Sequence, residues 1–471
     1  MAQQLLLLLP EDVLDGPPAR LLGPEYAEIV DDSVAERVGA RVLLANPPDD
    51  EEAEQAAEVS EWASRSRVNL CRVWAGELTP AAPGRLLRPP VFALVDDRPI
   101  YGEASSRSSG QLSLARVQGI QELLHRTLLQ EERTLRAGRL MASIAAGVEP
   151  PATPDAHPAT QQHYRLDGEA QRSLSELVRR THLSPEYTIR LWLGQTLTDN
   201  RPNKALNSDH LEWLLMGYEL QDLVLETIRS GVQHAFRPGL CLTGGVADKD
   251  NHKSALAMEN ALLRSIREGQ DSGASLVLDA DHDLSFPRGS SVNDASDPDD
   301  LLPLTYEHVG EHARRIESIK SNKSRVRVKL KRGDVKTAFR HLHGHPRVCA
   351  RFAGFLRRQG AVVINLGLPF GWTGSPVHYG AFGGAITFLV RRESPSTLVH
   401  SYQDTEPLFC YTWVDDHVLV EKDRADRLEL CEVALRLAML AVLGPRSINE
   451  SKFTPWATSC RALGLDRDTT R

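Results

Sequence analysis

Phe409-Cys410-Tyr411-Thr412-Trp413-Val414-Asp415-Asp416-His417-Val418-Leu419-Val420 is the stretch that decides the fold. An apolar run, two adjacent aspartates and a second apolar run read as a β-hairpin with carboxylates at its tip. Two neighbouring Asp side chains repel one another. A pair of divalent cations offsets that repulsion well, because hard cations prefer oxygen ligands. In isolation an Asp-Asp pair is more often just a polar turn, since turns favour Asp, so the flanking sequence has to decide.

Working outward, Val326-Arg327-Val328-Lys329-Leu330 alternates by side chain and reads as a strand. Asp334 follows it, with Val335-Lys336-Thr337-Ala338-Phe339 behind. If this strand neighbours the hairpin, Asp334, Asp415 and Asp416 converge. Carboxylates brought together from different strands are what two-metal nucleotidyl transfer needs: one ion activates the attacking 3′-oxygen and the other steadies the leaving pyrophosphate.

The rest of the chain sets limits. Its 471 residues allow two or three domains, and 41% hydrophobic with 25% charged residues is ordinary for a globular protein. A net charge of -8 argues weakly against nucleic acid as a partner, but the charge is uneven. Asp49, Asp50, Glu51, Glu52 and Glu54 make the early part acidic, whereas residues 314–351 carry thirteen Lys and Arg against Glu317 and Asp334. Beside an acidic centre, such a basic stretch reads as a groove for a duplex backbone. The six cysteines form no CxxC pair, which speaks against a zinc knuckle or ribbon. The run 5–9 is too short to span a bilayer, and no other segment resembles a membrane span. Asp271-Ser272-Gly273-Ala274-Ser275 reads as a helix-ending turn. His341, His343 and His345, interrupted by Gly344 and Pro346, read as exposed or partly packed side chains.

Residues 1–148 form a region of unassigned fold, with a long helix expected over 111–148 that ends near Gly147. Residues 149–164, with four prolines, read as a linker, and 165–270 as a helical region. Within the latter, one helix is expected over 209–235 with Asp209 as cap, and another over 253–268 stopped by Gly269. From 271 to 471 short strands and turns mix with helices such as 428–443, which makes this part α+β.

Three segments in order resemble the motifs of reverse transcriptases. Gly333-Asp334-Val335-Lys336-Thr337-Ala338-Phe339-Arg340 resembles the first catalytic motif. Leu368-Pro369-Phe370-Gly371-Trp372-Thr373-Gly374-Ser375-Pro376 resembles the segment that contacts template and nucleotide. Trp413-Val414-Asp415-Asp416 resembles the Tyr-x-Asp-Asp box. His282 to Pro287 with Ser291 to Asp294 resembles a fingers segment of eukaryotic retroelement polymerases, Asn449 to Lys452 the lysine-bearing motif, and Leu463-Gly464-Leu465 the strand that grips the primer. The resemblance implies a right-hand polymerase fingers and palm, the palm an antiparallel sheet backed by helices, after a mainly helical N-terminal region. It implies RNA-templated DNA synthesis with two Mg2+ held by Asp334, Asp415 and Asp416, and an RNA/DNA template-primer and deoxynucleoside triphosphates as partners. By the same resemblance Phe339 is the gate against a ribose 2′-hydroxyl, Phe370 and Gly371 meet the incoming base pair, Trp413 contacts the primer, and Lys452 assists the leaving phosphate.

The sequence also departs from that pattern. Trp413 stands for the usual Tyr, which keeps the aromatic surface and loses the hydroxyl; Phe370 stands for the glutamine of retroviral enzymes. Where relatives carry a basic fingers hairpin, residues 276–281 run directly into His282, and no Lys or Arg occurs between Arg267 and Arg288. The segment after Leu465 leaves no room for a thumb. The expectation is therefore a retroelement-derived, reverse transcriptase-like unit with impaired activity, in the cytoplasm or nucleus. The competing reading is a non-catalytic nucleic-acid-binding or scaffold remnant of a retroelement polyprotein.

Overall fold

A computed structural model describes residues 112–151, 163–236, 257–279, 292–296, 298–301, 303, 306–322, 326–399, 402–462 and 465–470. The expectations for residues 1–111, for most of the linker, for the 282–291 segment and for Leu463-Gly464 lie outside these residues. In chain order the main elements are α1 (Leu114–Ala145), α2 (Gly168–Thr181), α3 (Pro185–Trp192), α4 (Ser208–Leu214), α5 (Gln221–Ser230), α6 (Glu259–Ser272), β1 (Ser275–Asp279), α7 (Gly310–Asn322), β2 (Val328–Asp334), β3 (Ala353–Leu356), β4 (Ala361–Asn365), α8 (Gly374–Arg392), β5 (Cys410–Trp413), β6 (Asp416–Lys422), α9 (Arg427–Leu443), β7 (Ser459–Ala462) and β8 (Leu465–Asp468). Helix and small antiparallel sheets are thus mixed, as an α+β chain requires. Among the described residues no helix is long and apolar enough to cross a membrane.

The central sheet is antiparallel, in the order β2-β6-β5. Strand alternation sends successive side chains to opposite faces. Leu419 and Cys410 face the large core built with α8 and α9, while Val418, Val420, Val328 and Leu330 pack with Ile319 of α7 and with Cys460 and Ala462 of β7. The same large core takes in Val117 of α1, Leu211 of α4 and Ile228 of α5. A second antiparallel sheet, β1-β4-β3, alternates likewise: Leu276, Leu278 and Ile364 meet Leu174 and Val178 of α2, and Val277 and Val363 meet Ile266 of α6.

Several local expectations hold. The helix expected over 111–148 is α1, capped by Ser113 and ended by Gly147 at φ 66. The hairpin forms from β5 and β6. Ser272 ends α6, Gly273 caps it in the left-handed conformation at φ 72, and the chain turns into β1. Others are corrected. The single helix over 209–235 is two, α4 and α5, because Leu215 to Leu220 leave the helix through Gly217 at φ 86. Inside that break the Tyr218 hydroxyl donates to the Ala381 carbonyl at 2.7 Å, and the cap of α4 is Asn207 rather than Asp209. Gly269 does not stop α6. It lies within the helix, where a Cβ would stand 2.4 Å from Ser275 Oγ, so the missing side chain permits close helix–strand packing. The strand before Asp334 runs further than its alternation indicated, and Asp334 is its last residue.

Gly333, just before Asp334, is set by packing. A Cβ there would lie 2.7 Å from Leu435 Cδ2 and 2.9 Å from Phe453 Cζ. Gly333→Ala is therefore expected to cost about 1–3 kcal/mol through overpacking. Gly354→Ala on β3 meets nothing within 4 Å and is expected to be neutral or slightly stabilising. Urea denaturation of the two variants beside the parent checks the contrast.

Candidate functional site

β2 and β6 pair so that Asp334 stands opposite Asp416, and the hairpin register puts Trp413 opposite Asp416 as well. Only Val414 and Asp415 remain to turn the chain. Such two-residue turns favour positive φ, and Val414 adopts φ 52, which a β-branched residue takes at a cost of about 1–3 kcal/mol. Strain of this kind persists where the surroundings over-determine it, and here they do. The Val335 N–H donates to the Asp415 carbonyl at 2.9 Å, tying the turn to the end of β2. The backbone thus sets Asp334 opposite Asp416, with Asp415 in the adjoining turn.

Asp334 is 2% exposed, and both its oxygens are engaged: Asn449 Nδ2 donates to Oδ1 at 2.6 Å and Lys452 Nζ to Oδ2 at 3.0 Å. The Asn449 N–H also donates to the Asp334 carbonyl at 3.1 Å. The hydrogen bond with Asp334 raises the Lys452 pKa above its ordinary value. Burial raises the carboxyls of both Asp415 and Asp416, and their negative neighbours push the same way. The opposing cation nearest Asp416 is Arg332, at 3.8 Å. The donor set is all carboxylate oxygen, with like charges crowded and partly desolvated, which is the chemistry a hard divalent cation satisfies. As they stand, however, no group of three or more His, Cys, Asp or Glu among the described residues is placed to hold a metal ion. Lys452 occupies the Asp334 oxygen that such an ion would share.

The other predicted positions fall around this cluster. Phe339 is buried, its ring 4.9 Å from that of Phe370 and 5.6 Å from that of Tyr379. Phe370 itself is 75% exposed. Gly371 takes φ 97 in a turn clamped by Asn293, which donates to the Gly371 carbonyl at 2.7 Å and accepts from the Thr373 N–H at 2.9 Å. Trp372 is buried and donates to Ser296 Oγ at 2.9 Å, so it packs rather than offering a face to a base. Trp413 is 43% exposed and stacks on Tyr306 at 4.6 Å.

Several cations of the basic stretch are paired with acids elsewhere in the chain. Arg315 meets Glu406 at 2.9 Å and Glu421 at 3.2 Å, Lys331 meets Glu432 at 2.8 Å, and Arg347 meets Glu186 at 2.8 Å. Arg327 pairs with Asp423 and Arg340 donates to Ser265. Arg327 and Arg347 keep side chains that are 77% exposed, and Lys323 and Arg325 lie outside the described residues. The three histidines do not cluster on a metal. His341 Nε2 donates to the Lys336 carbonyl at 2.8 Å, His343 Nδ1 donates to that of Pro202 at 3.1 Å, and His345 caps a short turn of helix. Sequence reasoning missed Tyr306 and Tyr379, which carry no local signal, and gave Arg332 and Asn293 no role of their own although both lie in segments it singled out.

No protein-family model and no curated protein matches the chain. Among solved structures it is similar to the foamy viral protease-reverse transcriptase in complex with an RNA/DNA hybrid, at 14% identity and TM-score 0.31, over 57% of this chain and 34% of that one. It is also similar to the dRH form of that protein with double-stranded DNA, at 13% identity and TM-score 0.31, over 67% and 48%. The native prototype foamy virus protease-reverse transcriptase matches at 15% identity and TM-score 0.29, over 56% and 34%. The chain spans about a third to a half of the length of these structures. Likeness at these values assigns no role to any residue of this chain.

Two opposite stability effects follow. A carboxyl whose pKa is raised in the fold contributes stability below its unfolded value and loses it as pH rises through the folded one. At neutral pH Asp415 and Asp416 therefore work against folding. Asp415→Asn is expected to raise the melting temperature by about 1–3 °C at pH 7, with the advantage shrinking toward pH 4. Lys452→Met strips the buried Asp334 of its cation and is expected to cost about 1–2 kcal/mol at pH 7. Calorimetric melts across pH check both signs.

Proposed function

We propose that this chain carries the nucleotidyl-transfer centre of a reverse transcriptase-like polymerase, derived from a retroelement and impaired in activity. One observation carries the reading: Asp334 and Asp416 are direct partners on adjoining strands, with Asp415 bonded to the end of β2. The three motifs in order along the chain support it, as does Lys452 seated on Asp334.

In this reading Asp334, Asp415 and Asp416 hold Mg2+, which, when bound, activates the attacking 3′-oxygen and steadies the leaving pyrophosphate. Asp334 would hold the cation in the place that Lys452 takes here. The freed ammonium, on a side chain that is half exposed, then faces the leaving phosphate. Asn449 keeps hold of Asp334 Oδ1 and fixes its orientation. The buried Phe339 ring, braced by Tyr379, forms the floor on which a deoxyribose fits and a 2′-hydroxyl collides. Phe370 and Trp413, both exposed, offer aromatic surface to an incoming base and to the primer end. A template-primer and deoxynucleoside triphosphates are the implied partners.

Impairment follows from the scarcity of free cations. No Lys or Arg lies between Arg267 and Arg288, and Arg315 and Lys331 of the basic stretch are held in internal pairs. The triphosphate therefore meets little positive charge. The exposed Phe370 and Trp413 beside the site also favour a second reading, in which the fold binds nucleic acid without extending it.

Primer extension on a homopolymeric RNA template with Mg2+ separates these readings. Weak extension that Asp415→Asn abolishes is the expected result. Robust extension contradicts the impairment. Steeply salt-dependent template-primer binding with no extension at all supports the non-catalytic reading.

A further inference from the structure

Three arginines on the outward face of α1 stand without acids. Arg126, Arg133 and Arg136 are exposed, and none of them takes part in an ion pair or a hydrogen bond among the described residues. Their spacing, seven residues and then three, keeps them on one side of the helix. Leu129, 44% exposed, and the exposed Gln130 lie between them. The other side of α1 is the packed one, where Val117 and Leu128 are buried and Leu124 meets the large core.

The acids of the same stretch do not neutralise the stripe. Glu132 turns to Arg446 and pairs with it at 2.8 Å, and Glu131 is half-buried. Glu122, one turn before Arg126, is the exposed acid of that face. Like charges three or four residues apart on a helix repel one another. Arg139 follows Arg136 by three residues, its guanidinium held 3.9 Å above the Trp192 ring. A chain of net charge -8 thus leaves a run of positive charge uncompensated on one helix, and such a stripe is the footprint of a polyanion. α1 also lies where that partner would run. Gln121 donates to the Pro445 carbonyl at 3.3 Å and Glu132 holds Arg446, so the helix passes alongside residues 445–447. The Ser447 carbonyl accepts the Lys336 N–H at 2.8 Å, and the exposed Lys336 follows Asp334 by two residues. α1 therefore flanks the strand end that carries the candidate site.

We infer that Arg126, Arg133 and Arg136 bind the phosphate backbone of a nucleic-acid strand whose end lies at the candidate site. This rests on the reading of nucleic acid as the partner of the chain. A guanidinium meets phosphate oxygens through two parallel N–H bonds, which a lysine ammonium does not. From Arg126 to Arg136 the helix rises about 15 Å, the axial length of about four nucleotides of one strand. Each arginine can therefore meet a phosphate of its own. A membrane surface fits less well, because a helix lying in a bilayer needs an apolar face and Leu129 alone supplies apolar surface among these residues. The three arginines belong to none of the motif segments, so the strand gains a hold apart from the nucleotide site.

Fluorescence anisotropy of the full chain with a labelled RNA/DNA template-primer, across a salt series, tests this. The triple variant Arg126→Gln, Arg133→Gln, Arg136→Gln is expected to bind about tenfold more weakly or worse at low salt. The slope of log affinity against log salt is expected to shrink by about 2–3, since each lost phosphate contact keeps a counterion in place. Lysine at the same three positions keeps the charge and is expected to restore most of the slope. The side chains are exposed, so the melting temperature of each variant should stay that of the parent. If the triple glutamine variant matches the parent in affinity and slope, this inference fails and nucleic acid stands as the partner. If the parent binds no template-primer, both fall. Loss of binding to phosphatidylserine vesicles, with template-primer binding unchanged, would assign the stripe to a membrane and overturn the inference.

Discussion

The antiparallel register of β2 with β6 is the constraint on which the rest of the structure depends. It places Asp334 opposite Asp416 at the end of the sheet, and strand geometry leaves no freedom in that. A slip of one residue would turn every side chain of β2 to the opposite face, sending Leu330 out of its core and Asp334 away from its partners. The register is fixed by Val328 and Leu330 packing with Val418 and Val420 on one face. The tight turn through Val414 fixes the hairpin on the other side. Hydrophobic burial therefore forces like charges together, and the protein must answer that repulsion locally.

It answers with a relay of ion pairs that begins inside the sheet. Lys331 on β2 meets Glu432 on α9 at 2.8 Å, Glu432 meets Arg436 at 2.9 Å, and Arg436 meets Glu450 at 2.7 Å, with the guanidinium lying over Phe453. Glu450 sits between Asn449 and Lys452, the two residues that hold Asp334. A second buried pair, Arg427 with Glu421 at 2.5 Å, joins α9 to β6. Buried pairs of this kind add little net stability, because desolvation offsets much of their attraction, but they penalise any other register of the elements they join. Their value here is placement: they bring one ammonium to one carboxylate.

The sequence announces the hairpin and the strand before Asp334 because both depend on short-range patterning, with two apolar runs flanking an Asp-Asp pair that suits a turn. Lys452 was singled out only through the motif around Asn449, as an aid to the leaving phosphate, and its bond to Asp334 was not foreseen. The failures have physical reasons. The break between α4 and α5 follows from a tertiary bond, Tyr218 to Ala381, that periodicity along the chain does not register. The pairings of the basic stretch were not legible because the partners are remote in sequence; Lys331 finds Glu432 and Arg347 finds Glu186 only once the chain is folded. Tyr306 and Tyr379 carry no signal at all, since their places beside Trp413 and Phe339 come only with the fold.

The central claim is that three carboxylates form one cation-binding cluster with Lys452 as the resting occupant of Asp334. Anomalous diffraction from crystals grown with Mn2+ tests it most directly. The account predicts a peak bounded by Asp334, Asp415 and Asp416, with the Lys452 ammonium swung away from Asp334 Oδ2. Peaks confined to other sites, with Lys452 still bonded to Asp334, would contradict it.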